Sequence, residues 1–408
     1  MTLKSCQFCK ETRLKVALDL GFMPPVNVMS RVGEDQKTLD YFPLEFGHCT
    51  SCGLVQIANE VSSKIVFPEA YPYLSGMTRS LVENFQNQSK LVMEKLQLDK
   101  DDLIVDIGSN DGSLLDQYAP FARVLGVEPT AAYKVAIKKG ISTLNDFFSA
   151  QLAEEILNQN GKAKIVTACN VFAHIPNLDD LLSGISKLLS EEGIFISESH
   201  YVFDLLKNLQ FDTIYHEHLR YYSSSFLVEA FKKFDLEVFK IENITTHGGS
   251  IRVWAGRPNK FVIEKSVEEF LNEEKHLNLN LAIDDFSLKV YKWRNSFRGL
   301  ISELVSKNLK IIGIGAPSRS STLISYSGLN EQDVSMVAEL KNSGKIGRYM
   351  PGTKIPIVEE SEALKTNPDY LLLLSWHISQ EIIDSLRSKG YKGGFIIPLP
   401  SPRLIESI

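Results

Sequence analysis

Two pairs of closely spaced cysteines constrain the N-terminal part of the chain more than any other feature of the sequence. Four of the five cysteines lie in Cys6-Gln7-Phe8-Cys9 and Cys49-Thr50-Ser51-Cys52, a spacing at which thiolates close tetrahedrally on zinc. Residues 1–70 otherwise have too few apolar side chains for a core of their own. We therefore expect a small zinc-binding domain with one structural Zn²⁺ held by Cys6, Cys9, Cys49 and Cys52. Four unrelated buried cysteines are the alternative, and Cys169 is interpreted as a packing residue.

The hydrophobic pattern predicts an α/β unit over residues 71–260. The chain has 408 residues, more than one core usually serves. Apolar strands alternate here with helices, as in a parallel, doubly wound sheet. Two closely joined strands, 236–242 and 250–256, predict an antiparallel pair at one edge, which is typical of a class I methyltransferase, Rossmann-like sheet. The other predicted strands are 103–107, 122–127, 165–168 and 193–198.

Residues 261–408 are predicted to form a helical linker and a second Rossmann-like α/β domain. The linker consists of charged amphipathic helices, for example over 266–275 and 287–305. The predicted strands of the C-terminal domain are 310–314, 334–338, 370–374 and 394–397.

Charge and hydropathy exclude some partners. The formal net charge is −6, which gives no broad basic field for nucleic acid. No stretch has the length and apolarity of a signal peptide or membrane helix. We therefore expect a cytoplasmic protein that binds neither nucleic acid nor membranes and is a monomer or a weak homo-oligomer.

The segment from Asp106 to Ser113, D-I-G-S-N-D-G-S, follows a predicted strand and opens a helix, where nucleotide-type cofactors approach the backbone. A dinucleotide fingerprint requires glycine at the positions of Asn110 and Ser113, so nicotinamide is disfavoured. S-adenosylmethionine instead needs a tight turn and an acidic residue for its ribose, which Glu128 supplies; an ordinary tight turn is the alternative. The expected S-adenosylmethionine-binding residues are Asp106, Gly108, Asn110, Asp111, Gly112, Glu128, Pro129, Asp146, Phe147 and Asn170.

Five of the eight histidines lie between residues 174 and 247, within the predicted catalytic unit. His174 closes a segment that begins with Asn170 at the carboxyl end of a strand, the edge at which such sheets bind ligands. His216 and His218 are two residues apart, which is not the spacing of a helical zinc site. Acid–base chemistry is therefore the better interpretation of the Tyr215-His216-Glu217-His218 cluster.

At these segments the chain resembles the three-part nucleotide-sugar C-methyltransferases over essentially its whole length. The resemblance rests on G-S-N-D-G at 108–112, Y-H-E-H-L at 215–219, H-G-G-S at 247–250 and G-R-Y-M-P-G-T at 347–353. It implies a zinc domain, an S-adenosylmethionine domain and a C-terminal α/β domain. It also implies methylation of C3 beside the C4 ketone of a nucleotide-linked deoxysugar.

The chain departs from this family after its C-terminal glycine turn. The family commonly has an Ala-Lys-Gly-Asn-Thr-like run, whereas this chain has G-A-P-S-R-S-S-T at 315–322. This turn is suited to binding a diphosphate through backbone amides and Arg319, and an ordinary strand–helix corner is the alternative.

Carbon methylation requires loss of the C3 proton to give an enolate, and His218 is the expected base. Glu217 would orient or polarise His218, and Tyr215, Asn170 or His174 would donate a hydrogen bond to the oxygen. Glu217, Tyr215 and His216 are the alternative bases. The expected substrate contacts are Tyr73, which closes over the pocket, and His174, Tyr215, His216, Tyr222, His247, Arg319, Arg348 and Tyr349.

Two other functions are compatible with the sequence. In an O- or N-methyltransferase, the same histidine would deprotonate a different group of a small molecule. A zinc-ribbon protein that binds nucleic acid is the second alternative, and the acidic balance of the chain argues against it.

Overall fold

A computed structural model describes residues 5–34, 40–67 and 74–408. The strands are β1 (Leu14–Met23), β2 (Phe42–Cys49), β3 (Val55–Ile57), β4 (Leu103–Ile107), β5 (Arg123–Val127), β6 (Thr143–Leu144), β7 (Ala163–Cys169), β8 (Leu189–His200), β9 (Arg220–Tyr221), β10 (Glu237–Ile244), β11 (Ser250–Gly256), β12 (Ile311–Ile314), β13 (Val337–Glu339), β14 (Ile357–Glu359), β15 (Tyr370–Leu373), β16 (Gly394–Ile397) and β17 (Arg403–Ile405). The helices are α1 (Ser63–Val66), α2 (Arg79–Lys95), α3 (Tyr133–Lys138), α4 (Ala150–Asn160), α5 (Leu178–Leu188), α6 (Val202–Lys207), α7 (Ser224–Lys232), α8 (Lys265–Leu277), α9 (Leu279–Ser306), α10 (Ser318–Ser327), α11 (Glu360–Leu364) and α12 (Ser379–Ser388).

The central sheet has the strand order β10-β11-β8-β7-β4-β5-β6. Its strands are parallel except for β11, which runs antiparallel to both neighbours. Every residue of β4 is buried, as expected for a parallel strand covered on both faces by helices. The antiparallel pair predicted at one edge is confirmed, and with it the methyltransferase type of sheet.

The N-terminal sheet has the order β1-β2-β3-β9. Its first three strands come from the cysteine-rich segment, and the fourth comes from the histidine-rich segment of the central unit. Val55 pairs with Tyr221 and Gln56 with Arg220. The zinc-binding unit is therefore joined by backbone hydrogen bonds to the stretch that follows His218.

Helix α9 carries one continuous apolar face. Its buried residues recur every three or four positions and include Ile283, Phe286, Val290, Trp293 and Phe297, which is the period of an amphipathic helix. The helix begins eight residues before the predicted start at 287 because Asn278 caps it, accepting a hydrogen bond from the backbone of Leu281.

The C-terminal sheet has the order β14-β13-β12-β15-β16-β17 and is parallel apart from β17. This arrangement confirms a second Rossmann-like sheet. Within the described ranges, none of the helices combines the length and apolarity needed to span a bilayer.

Candidate active site and zinc centre

The four predicted zinc ligands converge beside the N-terminal sheet. All four sulfur atoms lie within 4.8 Å of one another, with 3.6 Å between the Sγ atoms of Cys6 and Cys52 and 3.5 Å between those of Cys9 and Cys49. Tetrahedral Zn–S bonds of about 2.3 Å place sulfurs roughly 3.8 Å apart. The backbone N–H of Phe8 donates to the Cys6 sulfur. The donor set and its spacing fit a closed, structural zinc site.

The cofactor loop turns sharply after β4. Gly108, Asn110 and Gly112 have φ values of 70°, 50° and 76°, a region that favours glycine and tolerates asparagine. A Cβ atom at Gly108 would lie 2.4 Å from Cγ2 of Val171. The loop therefore packs directly against the turn that follows β7.

Two buried carboxylates flank this loop. Glu128, after β5, accepts hydrogen bonds from the backbone N–H groups of Asn110 (2.9 Å) and Thr130 (2.7 Å). Asp106, in β4, accepts one from the Thr167 hydroxyl at 2.6 Å. Burial, opposed by that hydrogen bond, raises the pKa of Asp106 to about 7. Glu128 is therefore held in a fixed position beside the loop.

The segment before α2 lies against the same loop. The backbone N–H of Ser75 donates to Oδ1 of Asn110 at 2.9 Å, and that of Gly76 donates to Oδ2 of Asp111 at 3.1 Å. Lys139 also contacts Asp111 at 3.1 Å. Tyr73, predicted to close over the pocket, lies outside the described residues.

Asp146 and Phe147, two of the predicted cofactor-binding residues, follow β6. The Asp146 carboxylate accepts the backbone N–H of Phe147 at 2.7 Å, and the Phe147 side chain is 57% exposed. The carbonyls of Glu128 and Pro129 accept from the Asn145 amide. Asp146 and Phe147, here called the Asp146–Phe147 wall, therefore follow a residue that is tied to the loop after β5, and the ring of Phe147 is left exposed.

Four histidine rings form a row at the carboxyl ends of β7 and β8, here called the histidine array. The ring centroids are 4.9 Å apart for His174 and His218, 5.0 Å for His218 and His200, and 5.7 Å for His200 and His247. The ring of Tyr215 lies 4.0 Å from that of His218. The array collects residues from three separate predicted clusters in one place.

Main-chain carbonyls fix the tautomers of two rings in the array. Nδ1 of His218 donates to the carbonyl of Thr213 at 2.8 Å, and Nδ1 of His174 donates to that of Glu217 at 2.7 Å. Burial lowers the pKa of His218 well below its usual value and that of His174 to about 4. Both rings are therefore neutral near pH 7, and Nε2 of each presents a lone pair.

The other side chains of the 215–218 cluster point towards neighbouring units. Oε1 of Glu217 accepts from the Asn27 amide at 2.6 Å, and Nε2 of His216 pairs with the carbonyl of Pro43 at 3.2 Å. Tyr222 is fully buried, and its hydroxyl donates to the carbonyl of Phe172. The structure therefore brings Tyr215 and His218 into the array and leaves His216, Glu217 and Tyr222 around it.

The C-terminal residues expected to bind substrate lie at contacts between units. Arg319 binds Asp212 through two nitrogens, and the ring of Trp376 lies 4.8 Å from its guanidinium carbon. Arg348 donates to the carbonyl of Met29 at 3.0 Å. The backbone N–H of Tyr349 donates to the carbonyl of Ser30 at 2.9 Å. Their roles towards substrate stay predictions.

His200 is not among the residues predicted from sequence. The predicted strand ended at residue 198, whereas β8 continues to His200 and delivers that residue to the same carboxyl edge as Asn170. Ligands bind at the carboxyl ends of the strands in such sheets, which is why Asn170 was predicted. A predicted strand two residues longer would have placed His200 at the same edge.

Comparisons with known proteins cover almost the whole chain. Residues 6–67 match the model of a zinc binding domain, residues 78–241 that of a methyltransferase domain, and residues 245–400 that of the C-methyltransferase C-terminal domain. C-methyltransferase NovU of Streptomyces niveus is 31% identical over 411 residues, covering 99% of this chain and 97% of that protein.

Solved structures of methyltransferases are similar to part of the chain. An S-adenosylmethionine-dependent methyltransferase from Clostridium acetobutylicum is 16% identical, with a TM-score of 0.35 and coverage of 42% of this chain and 92% of that one. Magnesium protoporphyrin IX methyltransferase from Synechocystis, with bound S-adenosylmethionine, is 14% identical, with a TM-score of 0.34 and coverage of 43% and 79%. The near full-length relative and the three domain matches show that the chain belongs to the S-adenosylmethionine-dependent C-methyltransferases with a zinc-binding N-terminal domain.

Proposed function

We propose that this C-methyltransferase methylates C3 of a nucleotide-linked 4-keto-6-deoxysugar through an enolate, in deoxysugar biosynthesis. The observation that carries the proposal is the histidine array. Neutral imidazoles beside the cofactor loop are suited to removing a proton from carbon. In a sugar, a ring C–H is acidic enough for this only when it lies next to a carbonyl group. In this scheme residues 1–70, 71–260 and 261–408 are the zinc, methyltransferase and nucleotide-sugar units.

The cofactor is held by the 108–112 loop, Glu128 and the Asp146–Phe147 wall. When bound, S-adenosylmethionine supplies an electrophilic methyl group on a sulfonium. Asn170 has a left-handed backbone, with φ of 56°, and its backbone N–H donates to the carbonyl of Glu198. In this scheme Asn170 faces the methyl group of the bound cofactor.

His218 is the proposed base. Its Nδ1–H is committed to the carbonyl of Thr213, so Nε2 is the atom that receives the C3 proton. Burial makes an isolated imidazolium costly, but the negative charge of the enolate forms at the same moment and close by. The two charges stabilise each other in a site of low dielectric constant. Tyr215, whose pKa burial raises well above its usual value, stays protonated and can donate to the oxygen.

The C-terminal unit is proposed to bind the nucleotide. The loop after β12 is held by two polar contacts: the backbone N–H of Ala316 donates to Glu339 at 2.7 Å, and Lys345 donates to the carbonyl of Ala316 at 2.6 Å. A loop at the carboxyl end of a parallel strand, opposite an acidic residue on the next strand, is a common nucleotide site. Arg319, Arg348 and Tyr349 border the same junction between units.

A substrate panel tests the proposal. The zinc-loaded protein would be incubated with S-adenosylmethionine and a set of nucleotide-linked 4-ketosugars, and the products analysed by mass spectrometry and NMR. We expect a mass gain of one methyl group and a new methyl signal on ring carbon C3. Methylation of a hydroxyl or amine instead would contradict the proposal and support the O- or N-methyltransferase alternative.

A further inference from the structure

His200 occupies the centre of the histidine array but belongs to none of the sequence clusters that predicted the site. It is the last residue of β8 and pairs with Ser250, the first residue of β11. Its ring therefore lies over the carboxyl edge of the sheet, between the rings of His218 and His247. This position is next to the base and opposite the His247-Gly248-Gly249 turn.

The chemistry at C3 requires a hydrogen-bond donor as well as a base. When the C3 proton leaves, negative charge develops on the oxygen at C4, and a positioned donor stabilises that charge. His218 and His174 cannot serve while they are neutral, because the single N–H of each already binds a main-chain carbonyl. Donation to the oxygen must come from other groups.

His200 has the required donor available. The rings of His218 and His174 are tied to backbone carbonyls, whereas neither ring nitrogen of His200 has a hydrogen-bond partner among the described residues. The ring is partly buried. Burial, with His247 and Arg319 nearby, lowers the pKa of His200 well below its usual value, so the ring is neutral. A neutral imidazole always carries one N–H.

We infer that His200 donates its ring N–H to the C4 oxygen of the substrate while His218 removes the proton from C3. This inference rests on the proposed function. The two rings are neighbours in the array, as C3 and C4 are neighbours in the sugar. The C3–H electron pair moves into the enolate and then forms the new bond from C3 to the methyl group. The methyl–sulfur bond would break in the same step, its electron pair staying on the sulfur of the demethylated cofactor. The proton passes to Nε2 of His218, and His200 keeps its own proton throughout.

The experiment compares variants of His200 that differ in donor capacity. His200→Leu removes the N–H, and His200→Asn keeps an amide donor. His276→Gln, at an exposed position on α8, is the matched control. For each zinc-loaded protein we would measure the affinity for demethylated cofactor, kcat and KM for methylation, and exchange of the C3 proton in deuterated water. The substrate is the nucleotide 4-ketosugar that the wild type methylates.

We expect His200→Leu to lower kcat by about 100- to 1,000-fold, the usual effect of deleting one donor at a developing oxyanion. Exchange of the C3 proton should slow in parallel, and affinity for demethylated cofactor should not change. His200→Asn should recover part of the rate, which a purely structural role would not predict. If His200→Leu does not bind demethylated cofactor, His200→Phe, which keeps a ring without an N–H, is measured in its place with the same expectation.

Two results separate failure of this inference from failure of the proposed function. If the wild type methylates C3 and the donor-free variant has the same kcat and the same rate of C3 proton exchange, only the role of His200 is refuted. Absence of C3 exchange and C-methylation by the wild type on every ketosugar would refute both.

Discussion

Arg319 of the C-terminal unit and Asp212 of the central unit form a buried ion pair through two contacts, 2.9 Å from Nε to Oδ2 and 2.8 Å from Nη2 to Oδ1. The side chains are 8% and 0% exposed. Trp376 donates a third hydrogen bond to Asp212, and Gln210 accepts one from Arg319. This network lies at the end of the histidine array, so it joins the C-terminal unit to the site.

Loss of Arg319 should destabilise the protein strongly. Arg319→Ala leaves the buried carboxylate of Asp212 without its cation, which typically costs about 3–5 kcal/mol in free energy of unfolding. Urea unfolding followed by fluorescence measures this change. The control is Lys15→Ala, which removes an exposed pair with Asp284 and should cost at most about 1 kcal/mol. Equal effects of the two substitutions would contradict the structural role of the buried pair.

Zinc content should depend on the four-cysteine cluster. We expect one zinc per chain by elemental analysis, and Cys49→Ser should lose the metal and lower the thermal unfolding temperature, because the metal links the two cysteine pairs of this unit. Cys169→Ser, outside the cluster, should keep a full complement of zinc. Zinc-free wild-type protein that unfolds at the same temperature as the loaded form would refute a structural role for the metal.

Glu128 should contribute to cofactor binding. Glu128→Gln weakens the charged contact expected with the ribose hydroxyls, and hydrogen bonds to charged groups contribute about 1.5–3 kcal/mol, so affinity for S-adenosylmethionine should fall roughly 10- to 100-fold. Calorimetric titration measures this affinity, with Glu229→Gln, at an exposed position on α7, as the control. The wild type should not bind NAD. Tighter binding of NAD than of S-adenosylmethionine would reverse the cofactor assignment.

His218→Gln should separate proton transfer from cofactor binding. Turnover should fall by about 100- to 10,000-fold because a positioned base is lost, while affinity for demethylated cofactor stays the same. NMR should show wild-type protein exchanging the C3 proton in deuterated water and the variant failing to do so; His276→Gln should behave as wild type. Full exchange by His218→Gln would transfer the role of base to Glu217, Tyr215 or His216.

Stability should fall as the solution is acidified below pH 6.5. Burial lowers the folded-state pKa of both His174 and His247 to about 4, so the unfolded chain binds protons that the folded chain does not, and stability is lost between about pH 6.5 and 4. Asp106 contributes to stability with the opposite sign. Its folded-state pKa is about 7, so between about pH 7 and 3.8 the folded chain binds a proton that the unfolded chain does not, which favours folding on acidification.

The two histidines outweigh the one carboxyl group, and each net proton changes the unfolding free energy by roughly 1.4 kcal/mol per pH unit. Urea midpoints measured from pH 7 to 4.5 should therefore decline, and His174→Gln should flatten the decline. A rising midpoint on acidification would contradict the pKa directions assigned to these rings.

The parts of the fold predicted from sequence are those encoded locally. The cysteine pairs, the G-S-N-D-G turn and the alternation of strands such as β4 with helices depend on residues close together in the chain. The class of sheet followed from the short connection between β10 and β11. These features needed no knowledge of distant contacts.

Contacts between units could not be predicted in this way. Glu217 is adjacent to His218 in sequence, yet its carboxylate binds Asn27 of the zinc-binding unit. Arg319 follows a loop suited to phosphate, yet its guanidinium binds Asp212. A side chain's direction at such junctions depends on how units far apart in sequence pack together, and no local spacing specifies it.

The pairing of Val55 in β3 with Tyr221 in β9 also has a consequence for synthesis on the ribosome. The cysteine-rich segment emerges before the central sheet, and one edge of its own sheet stays unpaired until most of the central sheet has been translated. An unpaired edge is a template for strands of other chains. Truncation of the protein after residue 70 would leave that edge exposed permanently. The nascent zinc-binding unit is therefore most prone to aggregation in the interval before residues 220–221 reach it.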